Sequence, residues 1–303
     1  MKRRPIVLIA LLAAGGLSMV VARAQQDPAA IRIEKVKNNL YVIAGGRGPG
    51  QQAGSVSGNT TVFIANSGVV LVDTEYPGYG QVILDTIKSV TTKPVTMVIN
   101  THTHGDHTGG NNGLPRTVEF VAHENTKTNM AKMEAFKGEG AAFLPKRIFK
   151  DKMSLLGGDD RIDLYYFGAG HTNGDAVIVF PALGTAVMGD LFARKWAPLV
   201  DANNGGSAVA FADTLEKALA GIMNVDTIIP GHAPVQSWND LKEFTAYYRG
   251  FLTTVVEGMK TGKSVEEVAK AYTLPDRYKR MGYTSDAERV RNTVEMIFTE
   301  LRK

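Results

Sequence analysis

The chain has 303 residues, 44% of them hydrophobic and 21% charged, with a formal net charge of +4. That apolar content is enough for a real core, so disorder is excluded as the default. There is no cysteine, which excludes thiolate catalysis, cysteine-ligated metal and disulfides.

The first segment reads as an address rather than as part of the fold. Lys2, Arg3 and Arg4 precede an apolar run, IVLIALLAA, and Ala22-Arg23-Ala24 is a small-residue cleavage site. Residues 1–24 are therefore expected to be a signal peptide, and residues 25–303 one domain, exported to the periplasm or secreted by a bacterium. No stable membrane anchor should remain after cleavage, and no cysteine sits at the cut to carry a lipid. Lys2, Arg3, Arg4 and Arg23 account for the whole +4. The remaining chain is near neutral, and nucleic acid is not an expected partner. The sequence gives no oligomeric state.

Next come short apolar, β-branched runs separated by turns: IRIEKV (31–36), LYVIAG (40–45), TTVFIA (60–65) and VVLVD (69–73). They read as strands, with Asn66-Ser67-Gly68 as a hairpin turn. The Gly-rich stretch 45–58 lacks the Gly-Lys-Ser/Thr of a phosphate loop and reads as a flexible connection. Residues 80–90 carry apolar positions at helical spacing. VTMVIN (95–100) is a buried strand, VEFVAH (118–123) another, and 124–136 a helix. LYYFG (164–168), AVIVF (176–180) and TAVMG (185–189) are further strands. A helix over 209–222 and the strand VDTIIP (225–230) follow, and from Trp238 the chain reads as helical, with breaks near Gly262 and Pro275. Two groups of strands, each followed by helices, predict an α/β protein with two sheets and helices outside them.

VTMVIN runs straight into NTHTHGDHTGG (100–110), which holds three of the six histidines. His102 and His104 are two apart, on one side of an extended chain. Asp106 and His107 lie beyond Gly105, where the backbone can turn toward a second point. Imidazole and carboxylate are the usual zinc ligands, and zinc wants about four of them. The partners appear at later strand ends: His171 in GAGHTNGD, Asp190 in VMGDLF and His232 in IIPGHAP. Strand ends are where functional residues tend to sit.

In that order, THTHGDH, GAGHTNGD, VMGDLF and IIPGHAP resemble the metallo-β-lactamase superfamily of binuclear metallohydrolases. The likeness extends through VFIANSGVVLVDT and nearly the whole chain after the signal segment. It implies a four-layer αββα sandwich in a single domain and two metal sites. His102, His104 and His171 match the ligands of the first. Asp106, His107 and His232 match those of the second. Asp190 matches the bridging carboxylate of glyoxalase II-like members. Two Zn2+ per chain are the expected cofactors, and iron or manganese suits the same donors. Asp73 matches a position that supports the metal loop through hydrogen bonds, the alternative being a turn-forming aspartate. His123 matches no ligand position and is expected to be structural.

The implied reaction is hydrolysis by a hydroxide shared between the metals, with Asp106 and Asp190 as catalytic carboxylates. A Ser-His-Asp mechanism would reuse histidines already committed to metal. The substrate is expected to be a small molecule with an ester, thioester, lactone or amide-type carbonyl, β-lactams included. Asp190, where the third lactamase subclass generally has serine, favours thioesterase, lactonase or esterase members. The other reading is an iron-containing, redox-linked protein on the same scaffold, like exported members tied to quinoprotein or sulfur oxidation. Metal content and colour separate the two. Residues 137–150 and 193–206 are expected to be groove loops, with Trp196 either a pocket wall or packed.

Overall fold

The computed structural model describes residues 31–45 and 57–302. The expected signal peptide and most of the Gly-rich connection lie outside the described residues. The first sheet takes the strands in chain order: β1 (Arg32–Lys37), β2 (Leu40–Ala44), β3 (Thr60–Ala65), β4 (Gly68–Val72), β5 (Val95–Asn100), β6 (Glu119–His123) and β7 (Arg147–Phe149). β1 to β4 pair antiparallel, and β4 to β7 pair parallel. The second sheet holds β8 (Lys152–Leu155), β9 (Ile162–Tyr166), β10 (Ala176–Phe180), β11 (Thr185–Gly189), β12 (Thr227–Pro230) and β13 (Gln236–Ser237), in spatial order 13-12-11-10-9-8.

Alternation along the strands builds the layers. Val70, Val72, Met97 and Ile99 of the first sheet meet Ile178, Phe180 and Val187 of the second in the central core, where the rings of Phe63 and Phe180 lie 5.0 Å apart. The intervening Val69, Leu71 and Val98 face the other way, onto α1 (Tyr79–Ile87) and Phe136. On the far side, Val177, Val179, Ala186 and Met188 pack under α4 (Ala210–Gly221), α5 (Trp238–Lys260), α6 (Val265–Ala271) and α8 (Ala287–Leu301). Helix, sheet, sheet, helix is the expected αββα order. Strands covered on both faces explain why VVLV and AVIVF read as unbroken apolar runs.

Three segments differ from expectation. The predicted helix over 124–136 is a short α3 (Glu124–Met130) followed by a separate 3-10 turn, Glu134–Phe136. Residues 137–150 are folded onto the first sheet: Phe143 and Phe149 are buried, and β7 pairs with β6. β7 and β8 escaped the sequence reading because they are short and half polar. The C-terminal breaks stand where expected, with α6 starting after Gly262 and α7 (Asp276–Arg280) after Pro275. Ser237 and Asp240 form a reciprocal capping box that starts α5 at Trp238. Among the described residues, no helix is long and apolar enough to cross a membrane.

Candidate metal centre

The seven sequence-predicted residues converge at one edge of the two sheets. His102 follows the carboxyl end of β5, Asp190 that of β11 and His232 that of β12, while His171 lies between β9 and β10. His104 leads into the one-turn helix α2 (Gly105–Thr108), which carries Asp106 and His107. The carboxyl ends of parallel strands are where α/β sheets place their sites. Three groups of donor atoms, each within 4.8 Å of one another, result: His102/His104/His171, His102/His107/Asp190 and Asp106/His107/His232.

Hydrogen bonds behind the rings decide which nitrogen of each faces inward. The His171 Nδ1–H donates to the Leu199 carbonyl at 2.8 Å, and the His104 Nε2–H donates to Asp201 Oδ2 at 2.7 Å. In neutral rings the inward His171 Nε2 and His104 Nδ1 are then both lone pairs, yet they lie 2.9 Å apart. Thr101 Oγ1 donates to Asp73 Oδ2 at 2.7 Å and so accepts from His102 Nδ1 at 3.0 Å. That leaves His102 Nε2 buried with no hydrogen-bond partner. On the second side, His107 Nδ1–H donates to Asp73 Oδ2 at 2.8 Å, and its Nε2 faces His232 Nε2 at 3.2 Å. Between neutral His171 and His104 rings, lone pairs pointed at each other are unfavourable unless a cation lies between them. The donor set therefore fits divalent metal.

Asp190 sits between the two groups. Its Oδ1 is 3.2 Å from His232 Nε2 and 3.4 Å from His107 Nε2, while its Oδ2 is 3.6 Å from His171 Nε2. Burial alone would raise its pKa, but His232 and His107 outweigh that and hold it well below the carboxylate norm. Burial likewise opposes a charge on His107, yet Asp106, Asp73 and Asp190 push its pKa well above the ordinary value. On the first side, burial together with neighbouring imidazoles pushes His102 well down, and burial takes His171 to about 4. One half of the centre is thus rich in carboxylate and the other in neutral imidazole.

The surrounding backbone is built to hold this. Asp73 follows β4 with φ at 63°, in the left-handed region, and its Oδ1 accepts from Thr101 N at 2.8 Å. One carboxylate thereby fixes Thr101, His102 and His107. A buried amide pair, Asn100 and Asn111, holds the His107 carbonyl. Two glycines let main chain close on the candidate ligands. A Cβ on Gly231 would stand 2.0 Å from Asp190 Oδ1, and one on Gly58 would stand 2.5 Å from the His107 ring. A cleft of about 550 Å3 opens beside His232, between Val36 and Val42 of the β1–β2 hairpin and Pro234 and Val235.

Residues 53–232 match the model of the metallo-β-lactamase superfamily. The chain belongs to that superfamily. It is a metal-dependent hydrolase. A metallo-β-lactamase type 2 of Elizabethkingia meningoseptica is 27% identical over 235 residues, covering 76% of this chain and 88% of the relative. Metallo-β-lactamase domain-containing protein 1 of Rattus norvegicus is 26% identical, over 57% of this chain and 64% of the relative. Among solved structures, a metallo-β-lactamase from Pontibacter korlensis superposes with a TM-score of 0.62 at 20% identity, covering 72% of this chain and 99% of its own. A sec-alkyl sulfatase, solved as a double mutant, gives a TM-score of 0.68 at 17% identity, covering 87% of this chain and 49% of its own. These last two establish the fold alone.

His123 stands apart from the cluster. Its Nδ1 accepts from Asn125 N to cap α3, its Nε2–H donates to the Lys150 carbonyl at 2.8 Å, and its ring stacks on Tyr166. Sequence reasoning missed Asp201 and Leu199, which orient His104 and His171 from within the 193–206 loop. Nothing local marks either residue, because the contacts span 97 and 28 positions.

Proposed function

We propose that this chain is an exported hydrolase with two divalent cations, zinc in the first instance. His102, His104 and His171 hold one, Asp106, His107 and His232 hold the other, and Asp190 reaches both. The observation that carries this reading is the pair of inward lone pairs on His171 and His104, each fixed by a hydrogen bond on its far side. The split reach of the Asp190 oxygens supports its bridging role. When bound, such cations make a nucleophile available at neutral pH and polarise the bond under attack.

The chain's own residues supply the rest. Asp73, Asp201 and Leu199 orient the imidazoles before substrate arrives. Asp106 Oδ2, 3.4 Å from His232 Nε2, takes a proton from the attacking water. The apolar wall of Val36, Val42, Pro234 and Val235 receives the non-reacting part of a small molecule and excludes water. The substrate is an ester, thioester, lactone or amide-type carbonyl, and the names of the relatives put β-lactams among them. Residues 1–24 serve export and are removed, leaving 25–303 as the working domain.

The test is turnover by purified, metal-loaded protein of a cephalosporin, a lactone, a thioester and a phosphodiester, with metal content measured in parallel. Hydrolysis of a carbonyl substrate by colourless, zinc-bearing protein, abolished in Asp106→Ala, supports the reading. Activity that survives Asp106→Ala, or a coloured iron protein that turns over none of the four, overturns it.

A further inference from the structure

Ser207, just ahead of α4, closes the start of that helix: its Oγ accepts from Ala210 N at 3.0 Å. The N–H groups of Ala208 and Val209 are left over there, as at any helix start. The carboxylate of Glu300, from the last turn of α8, meets both. Its Oε1 accepts from Ala208 N at 2.7 Å, and its Oε2 accepts from Val209 N at 3.3 Å and from Ser207 Oγ at 2.6 Å. Its negative charge also suits the positive end of the helix dipole. The Ala208 carbonyl is held in turn by the Tyr248 hydroxyl of α5 at 2.6 Å.

The segment that ends at this anchor is wrapped around the His171 turn. Ser207 N donates to the Gly170 carbonyl at 2.9 Å, Asp201 N to the His171 carbonyl at 2.8 Å, and Asn173 N to the Asn204 carbonyl at 3.0 Å. A Cβ on Gly206 would stand 2.3 Å from the His171 carbonyl oxygen. The same segment carries the acceptors behind the first triad, the Leu199 carbonyl for His171 and the Asp201 carboxylate for His104. α8 touches its other end as well. The Arg289 guanidinium carbon lies 3.8 Å from the centroid of the Trp196 indole. The Thr293 hydroxyl, bonded to the Arg289 carbonyl at 2.9 Å, lies 3.3 Å from the Pro198 carbonyl. Positions 289, 293 and 300 share one face of α8, which therefore follows the segment along its length. Trp196 is packed against this helix, which lies beyond residue 232, where the family match ends.

The second triad is held from elsewhere. His107 donates to Asp73, which follows β4, and its carbonyl accepts from Asn100 of β5. His232 meets the segment at Ala193, away from the Glu300 end, through its backbone N–H. We infer that Glu300 is a positioning residue for the first triad. By pinning the end of the 193–209 segment it holds the two acceptors that aim His104 and His171, while His107 is aimed without it. Loss of its carboxylate frees Ser207, and with it the main-chain bonds at Gly170 and His171. The inference rests on the two-metal reading for its metal measurement, but not for its proton measurement.

The test follows three ring protons of the zinc-treated protein by NMR: His171 Nδ1–H, His104 Nε2–H and His107 Nδ1–H, each donated to a fixed acceptor. Losing a hydrogen bond to a charged group makes local opening about tenfold more frequent. Glu300→Ala should therefore speed solvent exchange of the His171 and His104 protons about tenfold and leave that of His107 within about twofold. Glu300→Gln, which keeps one acceptor oxygen, should give a smaller effect with the same selectivity, and it decides the matter if Glu300→Ala does not fold. Glu295→Ala removes an exposed carboxylate from the same helix and should change none of the three. In chelator competition one zinc ion should bind about tenfold more weakly in Glu300→Ala and the other as before. Equal acceleration of all three protons would mark Glu300 as a strut of the whole fold and overturn the inference, as would unchanged exchange at His171 and His104. If the wild type does not take up two zinc ions, the two-metal reading is at fault, and the exchange rates still decide the role of Glu300.

Discussion

His171 Nε2 and His104 Nδ1 face each other at 2.9 Å, and as neutral rings neither has a proton to offer there, because each donates its one N–H to a fixed acceptor. Two such lone pairs repel, and a cation held between them turns the contact into an attractive one. Metal should stabilise the folded chain by about 4 kcal/mol when free metal exceeds its dissociation constant a thousandfold. The expected result is a melting temperature that falls on addition of a chelator and recovers on adding zinc. A melting temperature indifferent to both would contradict it.

Asp73 holds Thr101 and His107 directly and His102 through the Thr101 hydroxyl. Asp73→Asn keeps the shape but offers one fewer acceptor oxygen. Metal affinity, measured by chelator competition, should fall about 10- to 100-fold, the usual effect of losing a residue that orients metal ligands. Circular dichroism should stay unchanged.

Gly231 has no room for a side chain: an added Cβ would press on Asp190 Oδ1 at 2.0 Å and on the Gly189 carbonyl at 2.9 Å. Gly231→Ala should displace Asp190 and reduce turnover by about 100-fold. Gly250, in α5, has open space around it. Gly250→Ala is the control, expected to gain about 0.5–1 kcal/mol in stability with unchanged turnover.

His123 titrates below its ordinary 6.5, chiefly because burial disfavours the charged ring, with the Lys150 carbonyl opposing. The folded state then takes up this proton at lower pH than the unfolded chain. Its contribution is intact above 6.5, is lost as pH falls from there toward the folded pKa, and levels off below it. His123→Asn retains a side chain able to cap α3. Its stability should decline less steeply below pH 6.5 than that of the wild type, read by denaturant titration at several pH values. Parallel slopes would show that His123 does not carry the acid sensitivity.

Much of this was legible because function and periodicity are local signals. The alternating faces of Val69 to Val72 set two cores from four residues, and the run from His102 to His107 offers four candidate ligands within six positions. His171, Asp190 and His232 could be found because each follows a strand that reads as a strand. What stayed hidden is long-range. Asp201 reaches His104 across 97 positions, and Trp196 meets Arg289 only because α8 folds back over the second sheet. The 137–150 segment looked like a loop because Gly138 and Gly140 dominate its start, while Phe143 and Phe149 anchor it to the first sheet.

The most direct test of the proposed binuclear centre is the metal-to-protein ratio of metal-loaded chain, measured with turnover. Two ions per chain are expected in the wild type, about one in His171→Ala and about one in His232→Ala, with hydrolysis lost in both variants. A wild-type ratio well below one, or two ions retained in both variants, would contradict the account.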